Sequence, residues 1–119
     1  MYTSRMLSHF HEPRNVGDVE PCDGSTELSL DWVTVRMSVR ISGGLVEVAR
    51  FRSTTCVVAV ACCSALTEMA TGLPVNEARA ITADDVAVVV GGIPARRMGR
   101  CKLAVEVLRR ALADAAAAS

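Results

Sequence analysis

Residues 33–41 alternate without a break: Val33, Val35, Met37, Val39 and Ile41 against Thr34, Arg36, Ser38 and Arg40. A period of two sends alternate side chains to opposite faces, so this stretch reads as a β-strand with one buried face. Ser42-Gly43-Gly44 follows, and glycine supplies the positive φ of a tight hairpin turn. Residues 45–52 are then the return strand. Upstream, Leu28, Leu30 and Trp32 alternate with Ser29 and Asp31, and the phase changes between Trp32 and Val33. That change places a turn or bulge near Asp31. The expected unit is a three-stranded antiparallel meander with one face open for helices.

The period changes after residue 52. Val57, Val60, Ala61, Ser64, Leu66 and Met69 suit a helix packed on both sides, with Gly72 as its stop. Residues 75–81 read as a short helix. Thr82 and Asp85 form an N-cap pair for a helix over residues 84–90. Gly91-Gly92-Ile93-Pro94 is a break. From Arg97 the pattern is helical to the end, with Leu103, Val107, Leu108, Ala111 and Leu112 as the inner stripe and a fraying tail at 115–119. At the other end, residues 2–10 predict one or two helical turns with Met6, Leu7 and Phe10 on one side. Pro13 closes them, because the residue before proline is pushed out of the α region. Residues 17–24 read as a loop. The fold class is α+β: a three-stranded antiparallel sheet with helices packed on it and a long C-terminal helix, in a single domain over residues 1–119.

Half of the chain is apolar, which excludes intrinsic disorder, and only 3% is aromatic, so the core must be aliphatic. The formal net charge of zero argues against a general nucleic-acid binder. Charge is unevenly placed, however. Residues 18–31 hold five acids and no base, and residues 96–110 hold six bases and one acid. Such runs are solvated faces or docking surfaces, and Arg96, Arg97 and Arg100 are the candidates for contact with a charged partner. The longest apolar run, residues 56–66, is about half a membrane span, so no membrane association is expected. The N-terminal stretch has no basic start followed by an apolar core. A cytoplasmic location with reduced thiols is the expectation.

There are five cysteines, an odd number. Cys56 sits where a strand and short loop deliver the chain to a helix N-terminus, where helix-end amides stabilise a thiolate. It is a nucleophile or metal ligand there, or a small residue beginning a helix. Cys63 lies about 10 Å along the same helix, too far to share a metal with Cys56 at thiolate distances. Cys62 and Cys63 read as packing residues. Cys101 lies among Arg96, Arg97, Arg100 and Lys102, whose charges favour a thiolate if the sulfur is exposed. Cys22 is in a loop with no paired spacing. No CxxC or CxxH spacing is present, which removes zinc-ribbon and thioredoxin readings. His9 and His11, two apart, do not share a helix face.

Several segments together resemble the IscU/NifU N-terminal family of iron–sulfur cluster assembly scaffolds. They are Pro13-Arg14-Asn15-Val16-Gly17 after His9-Phe10, Ala49-Arg50-Phe51 leading to Cys56, Ser64-Ala65-Leu66-Thr67-Glu68-Met69 with Gly72, Glu77-Ala78, Gly92-Ile93-Pro94 and Leu103-Ala104. They follow the family order over nearly the whole chain. The resemblance implies the IscU/NifU/SufE-like fold and a non-enzymatic role. It also implies a ligand set: a Cys-Gly-Asp motif at the second strand, a Cys before the central helix, and a His-Cys pair at the start of the last helix. Cys56 carries over as the second of these. The Cys-Gly-Asp motif falls on Asp31-Trp32-Val33, so Asp31 stands for its Cys and Val33 for its Asp. Cys22-Asp23-Gly24 is a scrambled version nine residues earlier. The His-Cys pair falls on Gly99-Arg100, with Cys101 one position later, a rotation of about 100° on a helix. The family's chaperone-recognition stretch becomes Ile93-Pro94-Ala95-Arg96-Arg97.

The resemblance therefore implies a scaffold-like protein binding iron or an iron–sulfur cluster through an altered site. Cys56, Cys101 and Asp31 would be the ligands, and zinc a substitute metal. If the site is retired there is no cofactor, and two other roles stand. One is a cluster-free persulfide acceptor using Cys101 or Cys56. The other is a non-catalytic adaptor of a cysteine desulfurase or a sister scaffold. In each case the partner is a cysteine desulfurase or another protein of iron–sulfur or sulfur metabolism, in a homo- or hetero-oligomer.

Overall fold

The computed structural model describes residues 2–118. The elements run α1 (Ser4–His11), β1 (Gly24–Leu30), β2 (Val33–Ser42), β3 (Leu45–Ser53), α2 (Val57–Ala70), α3 (Val75–Arg79), α4 (Ala83–Val89) and α5 (Met98–Ala118), with a 3-10 turn at Ala95–Arg97 before α5. The strands pair in chain order, β1-β2-β3, all antiparallel. This is the meander the alternation requires. Asp31 turns the chain from β1 to β2 with φ of 56°, and Gly43 and Gly44 turn it from β2 to β3 with φ of 59° and 78°. A bulge between Arg40 and Ile41 shifts the β2–β3 register.

One face of the sheet is apolar: Val33, Val35, Met37 and Val39 lie beside Ala49 and Phe51, all buried. The long helix α5 covers β1 and β2, and α2 covers β3. The other face carries ion pairs, with Asp18 reaching Arg52 at 2.8 Å and Arg36 at 3.8 Å. Residues 15–17 add a short parallel pairing beside β3: Gly17 N–H donates to the Phe51 carbonyl and Phe51 N–H to that of Asn15. The capping box at α4 is formed, Thr82 and Asp85 each accepting the other's backbone N–H.

Strand β1 differs from its sequence expectation. It begins at Gly24, inside the expected loop, and its apolar end is not inside the core: Leu30 is 39% and Trp32 60% exposed. The hairpin tip reaches the first turn of α5, where only the start of that helix is available to cover it. Helix α1 also differs. It buries Met6 and His9, whereas Leu7 is exposed and Phe10 half-buried. The reason lies in α2, which is apolar on nearly every side and still buries two hydroxyls, Ser64 and Thr67. Buried polar groups need partners. His9 Nδ1 meets Ser64 Oγ at 2.8 Å, the Arg14 N–H donates to that oxygen at 2.9 Å, and the Asn15 amide donates to Thr67 Oγ1 at 3.2 Å.

Gly24 marks the tightest approach. A Cβ there would lie 2.2 Å from the Ala111 carbonyl oxygen and 2.6 Å from the Ala115 nitrogen. Gly24→Ala should therefore lower stability by about 3 kcal/mol, the upper range for overpacking, because rigid backbone must move; urea denaturation measures it. Burial, then the Arg14 guanidinium, push the His9 pKa below its ordinary value of 6.5, with Glu68 opposing. The unfolded chain thus binds a proton first as pH falls. The His9 contribution to stability is complete above pH 6.5 and is lost as pH drops from there to the depressed folded value. Denaturation midpoints across that window should lose this component in His9→Asn.

Candidate functional site

Three segments meet at one end of the molecule. The β1–β2 turn brings Asp31 and Trp32. The link from β3 brings Thr54 and Cys56. The start of α5 brings Gly99, Arg100 and Cys101. Hydrogen bonds tie the first two: Thr54 N–H donates to the Thr34 carbonyl, and Thr34 N–H donates to Thr54 Oγ1, both at 3.0 Å. Arg100 ties in the third, its Cζ lying 5.8 Å from the Trp32 ring centroid. A guanidinium over an indole is worth about 0.5–1 kcal/mol where water reaches it.

Cys56 is the N-cap of α2, with extended backbone and half-buried. Its carbonyl accepts the first helical hydrogen bond from Val60, and its side chain makes no capping bond, so the sulfur is left free at the helix mouth. Asp31 is exposed on its turn. Cys101, expected near Cys56 as a ligand or sulfur acceptor, points the other way and is 0% exposed. Its thiol donates to the Ala83 carbonyl at 3.4 Å, and Cys62 lies in hydrogen-bonding contact with it. The Cys62 thiol is driven far above the ordinary range, first by that hydrogen bond and then by burial. The same bond favours charge on Cys101 and lowers its pKa, while burial and Asp84 oppose. Burial raises Cys63 as well. Cys22 is exposed, far along the chain from these segments.

The structure thus brings Asp31, Trp32, Cys56 and Arg100 to one end and turns Cys101 into the core. Among the described residues, no three His, Cys, Asp or Glu side chains converge as a metal-binding group. Arg100 instead places a cation there, and its Nε is buried without a hydrogen-bond partner. An unpartnered guanidinium donor suits an anion and repels a metal ion. A cluster requires about four ligands, and the described residues do not group three of them. Of the other docking candidates, Arg96 is exposed and Arg97 half-buried on the turn before α5.

The Trp32–Arg100 and Cys62–Cys101 pairs were not anticipated from sequence. The second had a signal. Extending the inner stripe of α5 backwards from Leu108 through Ala104 reaches Cys101, at spacings of four and three, so that residue belongs to the buried face.

The described residues thus form an α+β fold, a three-stranded antiparallel sheet with helices packed on it, with a cysteine at the mouth of the central helix. Comparison with known proteins gives the particular family. The NifU-like N terminal domain family matches residues 1–118, and the chain belongs to it. An iron–sulfur cluster assembly scaffold protein, IscU 1 of Archaeoglobus fulgidus, is 36% identical over 118 residues, spanning 96% of this chain and 76% of its own. The nitrogen fixation protein NifU of Cereibacter sphaeroides is 39% identical over 116 residues, spanning 93% of this chain and 46% of its own. The fold matches the crystal structure of a NifU-like N-terminal protein from Brucella abortus with a TM-score of 0.81 at 14% identity, covering 97% of this chain and 94% of that one. No helix among the described residues is long and apolar enough to cross a membrane.

Thiol exposure gives a direct check. With a small aromatic disulfide reagent, Cys22 and Cys56 should react in the native protein, and Cys62, Cys63 and Cys101 only at the rate of unfolding. Counting released thiolate before and after denaturant, in wild type and Cys56→Ser, measures this.

Proposed function

We propose that this chain serves iron–sulfur cluster assembly as a non-catalytic scaffold-type protein, and that its own chemistry is sulfur acceptance at Cys56. One observation supports this above others. Cys56 is a half-buried thiol at the mouth of α2, while Cys62, Cys63 and Cys101 are buried and Cys101 donates inward to the Ala83 carbonyl. Sulfur acceptance needs one reachable thiol. Holding iron, zinc or a cluster needs about four ligands, and among the described residues no three side chains of the ligand types are grouped.

The step is thiol–persulfide exchange. The Cys56 thiolate attacks the outer sulfur of a donor persulfide, R–S–SH. A new sulfur–sulfur bond forms on Cys56, the donor's sulfur–sulfur bond breaks, and the donor leaves as R–S⁻. No net oxidation occurs. The donor is a cysteine desulfurase, and exposed Arg96 and half-buried Arg97 on the turn before α5 are its docking residues. The Arg100 guanidinium supplies positive charge at the end of the molecule where anionic sulfur accumulates. Asp31 acts as an oxygen ligand only where a second chain completes a metal site.

The experiment is mass spectrometry of anaerobic protein after incubation with a desulfurase and cysteine, with iron, zinc and acid-labile sulfide measured on the same samples. The expected result is a gain of one sulfur on the Cys56 peptide, reversed by reductant, lost in Cys56→Ala and kept in Cys101→Ala. Absence of sulfur on Cys56 overturns the reading. So does near-stoichiometric metal on the monomer that disappears in Cys101→Ala, which would restore the altered metal site with Cys101 as ligand.

A further inference from the structure

Away from Cys56, an open cavity of about 340 Å³ lies between α1, Arg14 and α4, lined by Ser4, Arg5, Ser8, His9, Arg14 and Val89. Its polar lining is made of groups able to donate hydrogen bonds: two guanidiniums, two hydroxyls and an imidazole. No acidic residue lines it. Ser4 and Ser8, like Arg5 and His9, are spaced by four on α1 and so face the same way. The nearest carboxylate in the network is Glu68, which meets Arg14 Nε at 3.2 Å from α2. Arg5 has no ion pair among the described residues.

The hydrogen bonds around His9 assign its tautomer. Ser64 Oγ accepts the Arg14 N–H at 2.9 Å, which leaves its own hydrogen for His9 Nδ1 at 2.8 Å. Arg14 Nη1, which can only donate, approaches the same Nδ1 at 3.4 Å. Two donors converge on Nδ1, so Nδ1 is the acceptor and the ring proton sits on Nε2. Among the described residues Nε2 has no hydrogen-bond partner, and His9 lines the cavity.

We propose that this cavity is a binding site for a small oxyanion of the phosphate class, held by Arg5, Arg14, the Ser4 and Ser8 hydroxyls and His9 Nε2–H. A tetrahedral anion presents several acceptor oxygens, which matches a cradle of donors with two guanidiniums, Arg5 without an ion pair and Arg14 shared with Glu68. The ligand is a free phosphate ion or the terminal phosphoryl group of a larger molecule. The site shares no residue with the Cys56 end, so it stands or falls independently of the sulfur reading. It also gives a role to His9 and Arg14, two residues of the N-terminal segment that the thiol site does not use.

The test is an NMR titration of the full-length protein with inorganic phosphate, and in a second arm with a simple phosphate monoester, against sodium chloride at equal ionic strength. The expected result is a saturable shift of the His9 ring resonances. An adjacent dianion favours the charged ring, so the His9 titration midpoint should also rise, against the lowering imposed by burial and Arg14 and in the direction of Glu68. Arg5 is exposed and outside the buried network, so Arg5→Gln should fold normally and weaken binding about fivefold, with Arg5→Lys recovering part of it. Tighter binding of the monoester assigns the phosphoryl group of a larger molecule, and equal binding the free ion. No saturable shift beyond that of chloride overturns the proposal, as does a shift of full strength in Arg5→Gln.

Discussion

Helix α2 is buried on nearly all sides, and the rest of the molecule is arranged to keep it so. A helix with no polar face cannot lie on a surface. The sheet and α5 cover one side of it, and α1 and α4 cover others. Enclosure has two effects at once. Cys62 and Cys63 disappear from solvent, leaving the N-cap Cys56 as the sulfur that emerges. The hydroxyls of Ser64 and Thr67 become buried polar groups that must be matched, which draws in His9, Arg14 and Asn15 and fastens α1 to the core. The Thr3 side chain, which caps α1, also bonds the Val90 carbonyl at the end of α4, closing that side. The thiol mouth and the basic cavity are both consequences of one buried helix.

At the start of α5 a single step along the chain decides the chemistry. Neighbouring positions on a helix differ by about 100°. Cys101 falls on the stripe shared with Ala104 and Leu108, so it turns to Cys62 and Ala83. Arg100 falls outside that stripe and lies over Trp32. Were the thiol one position earlier, it would face the end where Asp31 and Cys56 gather. As the chain stands, that end carries a guanidinium and one thiol, the two groups on which the proposed sulfur acceptance rests.

Much of the fold was legible because its signals are local. Alternation in β2, the Gly43-Gly44 turn, the phase change at Asp31 and the Thr82–Asp85 cap each report backbone geometry within a few residues, and each is present. Trp32 misled because alternation states only that residues share a face. It does not say how far along the strand the covering helix extends, and here the cover stops at the first turn of α5. The site was legible in part. Cys56 stands at the helix mouth as read, but the direction of Cys101 depended on the phase of a stripe traced only from Leu103 onward. His9 is poorly spaced with His11, and its partner is Ser64, 55 residues away. The available clue was a serine and a threonine inside an otherwise apolar helix, which required donors from elsewhere.

Asp31, Trp32 and Arg100 are not part of the fold's core, which is the apolar face of β2 and β3, the enclosed α2 and the inner stripe of α5. Those three residues lie on a turn tip and a helix start, where a substitution removes little buried area. Asp31 even suits its place, since its short polar side chain tolerates the positive φ that the turn demands. Arg100 at a helix N-terminus is disfavoured by the helix dipole, and its stacking on Trp32 offsets that cost. The chemistry at this end can therefore change while the scaffold beneath it holds its shape, so membership in the family is evidence for the fold and the thiol mouth, and the residues around that mouth decide what it carries.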